Sequence, residues 1–449
     1  MSNKKTNSGN SLAKKMTISL ICGLVVGIGF MFLRENMLSS GKEAAWEMIN
    51  RIFFQDITAA GAESAIGIFY IGGQLFIRAL QLVIVPMVFT SITLAIGQIS
   101  DTKTLGRISV KTLGGFLFCS TIALVMACIT GIVVYNTGLF TAEVSGLSGA
   151  SGKTGANPLM VVLNMVPSNI TSVFSSNTEV LAIVFLSVAL GLCMNTVGEE
   201  KSAVLKKLIT EVNDVVVLFL NYIVTKFGPV CVFMLLSRTF ATYGINYLKP
   251  AFAYMIVTLI LLLLFLFIVY PAVIAFGARL NPLVFVKKIA NVAVFGFSTS
   301  SSAATLPMNI KTCTEGFGVD STIASFVLPL GMTINMNGTA IMQVIATVFI
   351  AGCAGYTVTL PQLVVIALLA LIASAGTPGA PGAGAIILFT ILSGVGFIND
   401  GALLAYSLIL AINRPVEMVV TALNVVGDAV TSIWVAKSEG KLDEAKYNA

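Results

Sequence analysis

The chain has 449 residues, 57% hydrophobic and 10% charged, with a formal net charge of +6 at pH 7 and no histidine. Soluble domains are roughly a quarter charged, so this composition excludes a water-soluble globular protein. The missing histidine removes the commonest metal ligand and general base, and with it zinc chemistry and His-dependent triads.

The first 15 residues, MSNKKTNSGNSLAKK, are basic and precede an apolar run. That run has no small-residue cleavage site and further spans follow, so it reads as a retained first span behind a cytoplasmic N-terminal segment rather than a removed signal peptide. Runs long enough to cross a bilayer, about 20 residues each, are expected at 16–34, 65–98, 108–138, 170–198, 212–240 and 250–278. Lys4, Lys5, Lys14 and Lys15, then Lys103, Arg107 and Lys111, then Lys201, Lys206 and Lys207, then Arg279, Lys287 and Lys288 fall in alternate connections. Intervening loops such as TAEVSGLSGASGKTGANPLM are poor in basic residues, which fits positive-inside placement with a cytoplasmic N-terminus. These charges are juxtamembrane, so the expected partner is the lipid bilayer and no nucleic-acid role is supported. The seven cysteines lie mostly inside apolar segments without metal or redox spacing, and imply no disulfide framework.

From about residue 285 the texture changes. FGFSTSSSAATLPMNIK (295–311) and LIASAGTPGAPGAGAIIL (371–388) are small-residue, Pro-interrupted tracts inside apolar segments, each followed by a longer apolar helix at 319–351 and 399–436. Irregular backbone at membrane depth is tolerated only where protein buries it or water reaches it, and two such segments in matching positions point to a transport site at an inverted repeat. The expectation is two repeats, 285–351 and 355–436, each a re-entrant hairpin plus a full span. The fold class is therefore an all-α polytopic membrane protein of eight transmembrane helices and two re-entrant hairpins.

Two patterns carry chemistry. In PLGMTINMNGTAIMQV (329–344), Thr333, Asn335, Asn337 and Thr339 alternate, flanked by Gly331 and Gly338. Alternate positions cannot share one face of a helix, so the helix is expected to be broken there, freeing backbone carbonyls. In the last helix Arg414, Glu417, Thr421, Asn424, Asp428 and Thr431 are spaced 3, 4, 3, 4, 3, a single helical stripe. A structural Arg414–Glu417 salt bridge accounts for that pair but leaves Asp428 without a cationic partner. An ionisable group inside the membrane costs roughly 2.5–3.5 kcal/mol and usually marks a substrate or ion pathway. Alkali cations, like other hard cations, take oxygen ligands; Asp428 offers a carboxylate, Asn424 an amide oxygen one turn away, and the broken segment its carbonyls.

At these residues the sequence resembles the dicarboxylate/amino acid:cation symporter family, which includes the glutamate transporters. The resemblance covers essentially the whole chain and rests on SSSAATLP, GMTINMNGTA, GTPGAPGAGA and NVVGDAVTSIWVAKSEG, in family order and spacing. It implies an elevator-type, sodium-coupled carrier in the plasma membrane, homotrimeric, with both termini cytoplasmic. Residues 16–250 would be mainly scaffold and trimer contacts, 251–436 mainly the transport core, and 437–449 a cytoplasmic tail. One sodium site would use Gly331, Asn335, Asn424 and Asp428. A second would use backbone oxygens around Thr333, Ser374, Ala375 and Thr377, with Met336 nearby. Substrate contacts would come from Ser301 and Ser302, the tip Gly379, Ala380, Pro381 and Gly382, and Glu417, Thr421 and Asn424. Glu417 stands where the family often has an Asp that binds a substrate amino group.

Departures from the family narrow the reading. Carriers of acidic amino acids hold the side-chain carboxylate with an Arg where this chain has Val420 or Ser300, although Arg414 lies one turn away. A third sodium site in relatives uses an Asp, a Tyr, a Thr and a Ser where this chain has Asn337, Phe116, Cys119 and Ser120, so about two sodium sites are expected. The expectation is import of a small neutral or zwitterionic amino acid. The alternative is a sodium- or proton-coupled carrier of a C4-dicarboxylate or acidic amino acid using Arg414. No selectivity filter or effector domain suggests a channel or sensor, and the polar stripe lacks the His or Ser–Lys arrangement of an intramembrane enzyme.

Overall fold

With so little water-exposed chain, the backbone must satisfy its own hydrogen bonds, and it does so in helices. The computed structural model describes residues 3–58, 61–97, 103–141, 166–175, 180–243, 248–375, 377, 379 and 382–449. Two of the expected substrate contacts, Ala380 and Pro381, lie outside the described residues. Among those described, the only extended pairing is an isolated bridge between Val319 and Leu442.

The helices run α1 (Asn3–Ser39), α2 (Glu43–Phe53), α3 (Ile68–Ile96), α4 (Lys103–Asn136), α5 (Ile170–Phe174) and α6 (Val180–Val197). Next, α7 (Glu199–Tyr222) passes through a π-helical turn into α8 (Gly228–Tyr243), and α9 (Leu248–Leu264) continues through two further π-helical turns to Gly277. Eight helical stretches among the described residues are long and apolar enough to cross a membrane, by length and composition. One of the eight, Pro282–Thr299, is a limb of the expected first hairpin.

The second half holds two helix–turn–helix units. In the first, α10 (Pro282–Thr299) is capped by the Asn281 side chain on Leu283 N–H, and it ends at Ser300 in the left-handed conformation, φ 49°. Ser301 then caps α11 (Ser302–Lys311) through Ala304 N–H. In the second, α14 (Leu360–Ala375) packs on α15 (Ala383–Val395), whose first turn follows Gly382 at φ 84°. Between the two units, α12 (Ser321–Ile334) and α13 (Asn337–Cys353) are separated by non-helical Asn335 and Met336, where the polar alternation placed a break.

The last expected span is not one helix. It divides at Asn413 into α16 (Asp400–Ile412) and α17 (Arg414–Ser438). Pro415 has no N–H to donate and its ring crowds the preceding turn; the Asn413 side chain is tied instead to the Tyr254 hydroxyl at 2.7 Å. Helix α17 is the axis of this half, packed by α4, α10, α11, α12 and α13. Its membrane-length window is 89% buried, and that of the α12–α13 rod is 100%, so the valines and alanines around the polar stripe face protein on nearly every side. Helix α4, although it comes from the first half, packs against α13 and α17.

Helix α10 lies close against α17 at Gly296, where a Cβ would meet Val425 Cγ2 at 2.9 Å. Adding a methyl in a packed core costs typically 1–3 kcal/mol. Gly296→Ala is therefore expected to lower the thermal unfolding midpoint of the purified protein by several degrees, read by intrinsic fluorescence in detergent; an unchanged midpoint would mean the two helices separate freely.

Candidate functional site

The break between α12 and α13 lies against the middle of α17. Gly331 and Gly338, on either side of it, leave no space for a Cβ: at Gly331 one would strike the Asp428 carboxylate, and at Gly338 the Val420 carbonyl at 2.9 Å. The two glycines thus let the broken backbone touch the polar stripe. Asn335, fully buried, donates from Nδ2 to Asp428 Oδ1 at 2.8 Å and faces Asn424 O at 3.5 Å. The Asn424 amide oxygen accepts Gly338 N–H at 2.8 Å, satisfying a first-turn donor of α13, and its Nδ2 reaches Met336 Sδ and Thr339 Oγ1, both at 3.1 Å. Gly331, Asn335, Asn424 and Asp428 are therefore gathered at one place. Among the described residues no ion pair engages Asp428.

The break is shorter than the expected unwinding of 331–337. Gly331 O still accepts Asn335 N–H at 2.9 Å, whereas Met336 N–H turns back to Ile334 O at 3.1 Å instead of continuing the helical ladder. A carbonyl has two lone pairs, so the Gly331 oxygen retains acceptor capacity beside its helical bond. Thr333 sits in the last turn of α12, which packs against α14 ending in Ser374 and Ala375. Thr377 N–H bonds to Ser374 O at 2.9 Å.

Asn337 bridges three side chains. Its Nδ2 donates to Tyr270 Oη (3.0 Å) and Asn335 Oδ1 (2.9 Å), and its Oδ1 accepts Ser120 Oγ–H at 2.6 Å. Phe116 and Cys119, on the same helix as Ser120, are buried and add no oxygen.

Above this network the two hairpin tips meet. Ser301 Oγ donates to Gly379 O at 2.9 Å. A cavity of about 30 Å³ lies between the tips and α17, lined by Ser302, Thr377, Gly379, Gly382, Glu417 and Thr421, with Met336, Thr339, Met342, Val420, Asn424 and Ser300 completing its wall. That volume holds no more than one or two waters. Arg414 Nη1 lies 3.6 Å from Glu417 Oε2, with side chains 11% and 13% exposed, and Arg414 Nε has no hydrogen-bond partner. Glu417 also faces the Asn413 side chain and the Gly382 backbone.

Tyr270 and Met342 were not expected to contribute to these walls and networks. Tyr270 had a signal: a tyrosine followed by proline inside the otherwise apolar 250–278 segment.

The chain matches the profile of the sodium:dicarboxylate symporter family over residues 12–438. It is similar to the proton/glutamate-aspartate symporter of Escherichia coli (strain K12), 29% identical over 384 residues covering 83% of this chain and 86% of that protein. It is similar also to the proton/sodium-glutamate symport protein of Bacillus caldotenax, 29% identical over 382 residues with 83% and 88% covered. A third relative is the C4-dicarboxylate transport protein of Polynucleobacter asymbioticus, 30% identical over 412 residues with 88% and 90% covered. A buried carboxylate beside a broken helix, two apposed helix–turn–helix units and this match over residues 12–438 converge: the chain belongs to the sodium:dicarboxylate symporter family, and is a membrane transporter rather than an enzyme.

Proposed function

We propose that this protein couples cation entry to uptake of a small carboxylate, an acidic amino acid or C4-dicarboxylate, through the cavity between the hairpin tips and α17. The observation that carries this is Arg414: a nearly buried guanidinium, outside the cavity wall but one turn from Glu417 on it, whose Nε lacks a partner and whose contact with Glu417, at 3.6 Å, is longer than a good charge-assisted hydrogen bond. Such a group suits a substrate carboxylate, and the relatives named above carry glutamate, aspartate or C4-dicarboxylates. A second reading, a zwitterionic amino acid without an acidic side chain, is favoured by Glu417 on the cavity wall as an amine acceptor and by apolar Val420 beside it.

The coupling ion in this proposal is sodium, held near Gly331, Asn335, Asn424 and Asp428, with a second ion near Thr333, Met336, Ser374, Ala375 and Thr377. Asn337, an uncharged amide that bridges Ser120, Tyr270 and Asn335, is assigned no cation in this proposal. Substrate would touch Ser301, Ser302, the 379–382 tip, Glu417, Thr421 and Asn424. Helices α9 to α17 with α4 would move as the transport core, elevator-fashion, against a trimeric scaffold of α1 to α3 and α5 to α8. Each sodium ion entering gains about 2.3 kcal/mol per 100 mV and about 1.4 kcal/mol per tenfold gradient. Two ions with a monoanionic amino acid carry one net charge and sustain roughly 5 kcal/mol, on the order of a 10⁴-fold accumulation; with a neutral solute, the second reading, they sustain roughly 7 kcal/mol.

Uptake into sealed proteoliposomes tests the substrate. Aspartate, glutamate or succinate is expected to accumulate, and Arg414→Ala to raise the half-saturating concentration at least about tenfold, the scale of one charge-assisted hydrogen bond. Inhibition by neutral amino acids alone would establish the second reading instead.

Coupling is tested separately. Replacing external sodium by choline is expected to abolish accumulation, and Asp428→Asn to weaken the sodium dependence by about tenfold or more. Uptake indifferent to sodium but collapsed by a protonophore would replace sodium with the proton.

A further inference from the structure

Beyond α17 the chain folds back onto the protein. Asp443 N–H donates to Gly318 O at 2.9 Å and Asp320 N–H to Lys441 O at 3.1 Å, flanking the Val319–Leu442 bridge. Gly318, at φ 74°, allows this approach, since a Cβ there would meet Asp443 O at 2.6 Å. The short helix α18 (Glu444–Asn448) then delivers Tyr447 into the base of the α10–α11 hairpin, 0% exposed. Its ring centroid lies 5.6 Å from that of Phe317, which stacks at 5.6 Å on Phe285 of α10. Its hydroxyl donates to Asn281 O at 2.9 Å.

Lys288, one turn along α10 from Phe285, completes the seat. Its ammonium donates to Gly316 O (3.0 Å), Lys446 O (2.8 Å) and Tyr447 O (2.9 Å). Three carbonyls thus match the three donors of the ammonium, two of them from the end of α18 that lacks helical N–H partners. The start of the same segment is anchored elsewhere: Glu439 pairs with Arg107 at 2.6 Å and Lys111 at 2.5 Å on α4. Hydrogen bonding from Arg107, then Lys111, holds its carboxyl well below the usual range, at about 2.

Residues 443–448 thus insert an aromatic plug between the two limbs of the α10–α11 unit. From Lys288 to Thr299, α10 is a rod about 18 Å long that ends at the tip carrying Ser301 and Ser302. The second hairpin is held at its base differently, by its own flanks: Tyr356 stacks on Phe397 at 4.5 Å and its hydroxyl accepts Asn399 N–H at 3.1 Å.

We infer that residues 439–448 are a strap that positions the first hairpin, with Tyr447 and Lys288 as positioning residues. By fixing the base of α10 against α4 and α17, the strap sets where Ser301 and Ser302 stand relative to Gly379 and the cavity. The inference rests on the transport reading for its functional consequence, but the positioning itself is measurable without a substrate.

Hydrogen exchange of the full chain in lipid nanodiscs decides it. In Tyr447→Ala and in Lys288→Met, amide exchange over 296–306 is expected to rise about tenfold, while 383–395 keeps wild-type protection. Tyr447→Phe retains the ring stack and is expected to stay within about twofold of wild type. With the transport reading correct, the same two variants raise the substrate KM while Vmax changes little. Faster exchange confined to 439–449, with the tip unchanged, would overturn the inference. Altered tip exchange with no change in KM would support the strap and count instead against placing substrate at Ser301 and Ser302. If Tyr447→Ala does not fold, Lys288→Met tests the same contact from the hairpin side.

Discussion

The structure of the second half depends on how one buried carboxylate is accommodated. Asp428 lies on a helix covered by protein on nearly all sides, 2% exposed, and removing a carboxylate from water costs several kcal/mol even after relaxation. A helix neighbour with its backbone fully bonded offers such a group nothing but side chains. Breaking α12–α13 at Asn335 and Met336 brings an amide donor to Asp428 and turns backbone groups toward α17. The break, the glycines beside it and the stripe on α17 are then three parts of one solution, and the same oxygen-rich geometry is what a dehydrated cation would require.

The network continues past the carboxylate in a way that separates this chain from a simple cage of charges. Ser120 donates to Asn337, Asn337 to Asn335, and Asn335 to Asp428. These bonds run in one direction from α4 through the broken helix to α17, with Tyr270 of the α9 rod bonded at its centre. Because Asn337 is an amide, the chain contains one formal charge, and each amide proton it uses points at an oxygen. An aspartate at that position could not donate either of those bonds when ionised. The asparagine is therefore a structural link between helices where a carboxylate would be a second negative charge in need of a cation.

Much of this was legible in the sequence because it repeats at short range. The 3, 4, 3, 4, 3 spacing on α17 and the alternation around Asn335 are local violations of an apolar pattern, and the structure brings Asn335 and Thr339 of the second against Asn424 and Asp428 of the first. The two small-residue tracts likewise coincide with two helix–turn–helix units. What could not be read depends on contacts between distant residues. Asn413 ends a helix with help from Tyr254, 159 residues earlier. The 399–436 segment looks continuous by composition, and its division into α16 and α17 follows from Pro415 acting together with that remote hydroxyl. Gly331 was expected to surrender its carbonyl to the break, but the last helical hydrogen bond survives, which no periodicity distinguishes. Tyr447 sits in a charged, polar tail that reads as solvent-exposed, and only its seat on Phe317 and Phe285 gives it a role.

The hairpin tips and the strap differ in how firmly they are held, and that difference bears on how a solute enters. The cavity, at about 30 Å³, is smaller than any amino acid or dicarboxylate, so one wall has to move. The side-chain contact across the tips is a hydroxyl–carbonyl hydrogen bond from Ser301 to Gly379, worth about 1 kcal/mol net, with Glu417 facing the Gly382 backbone from below. Against this, the base of the first hairpin carries a buried tyrosine, a stack of three rings and an ammonium bonded to three carbonyls. Separation at the tips disturbs few groups, whereas tilting α10 would expose the Tyr447 ring and leave the Lys288 ammonium unsatisfied. In the proposed transport cycle, parting Gly379 from Ser301 would therefore disturb fewer contacts than tilting α10.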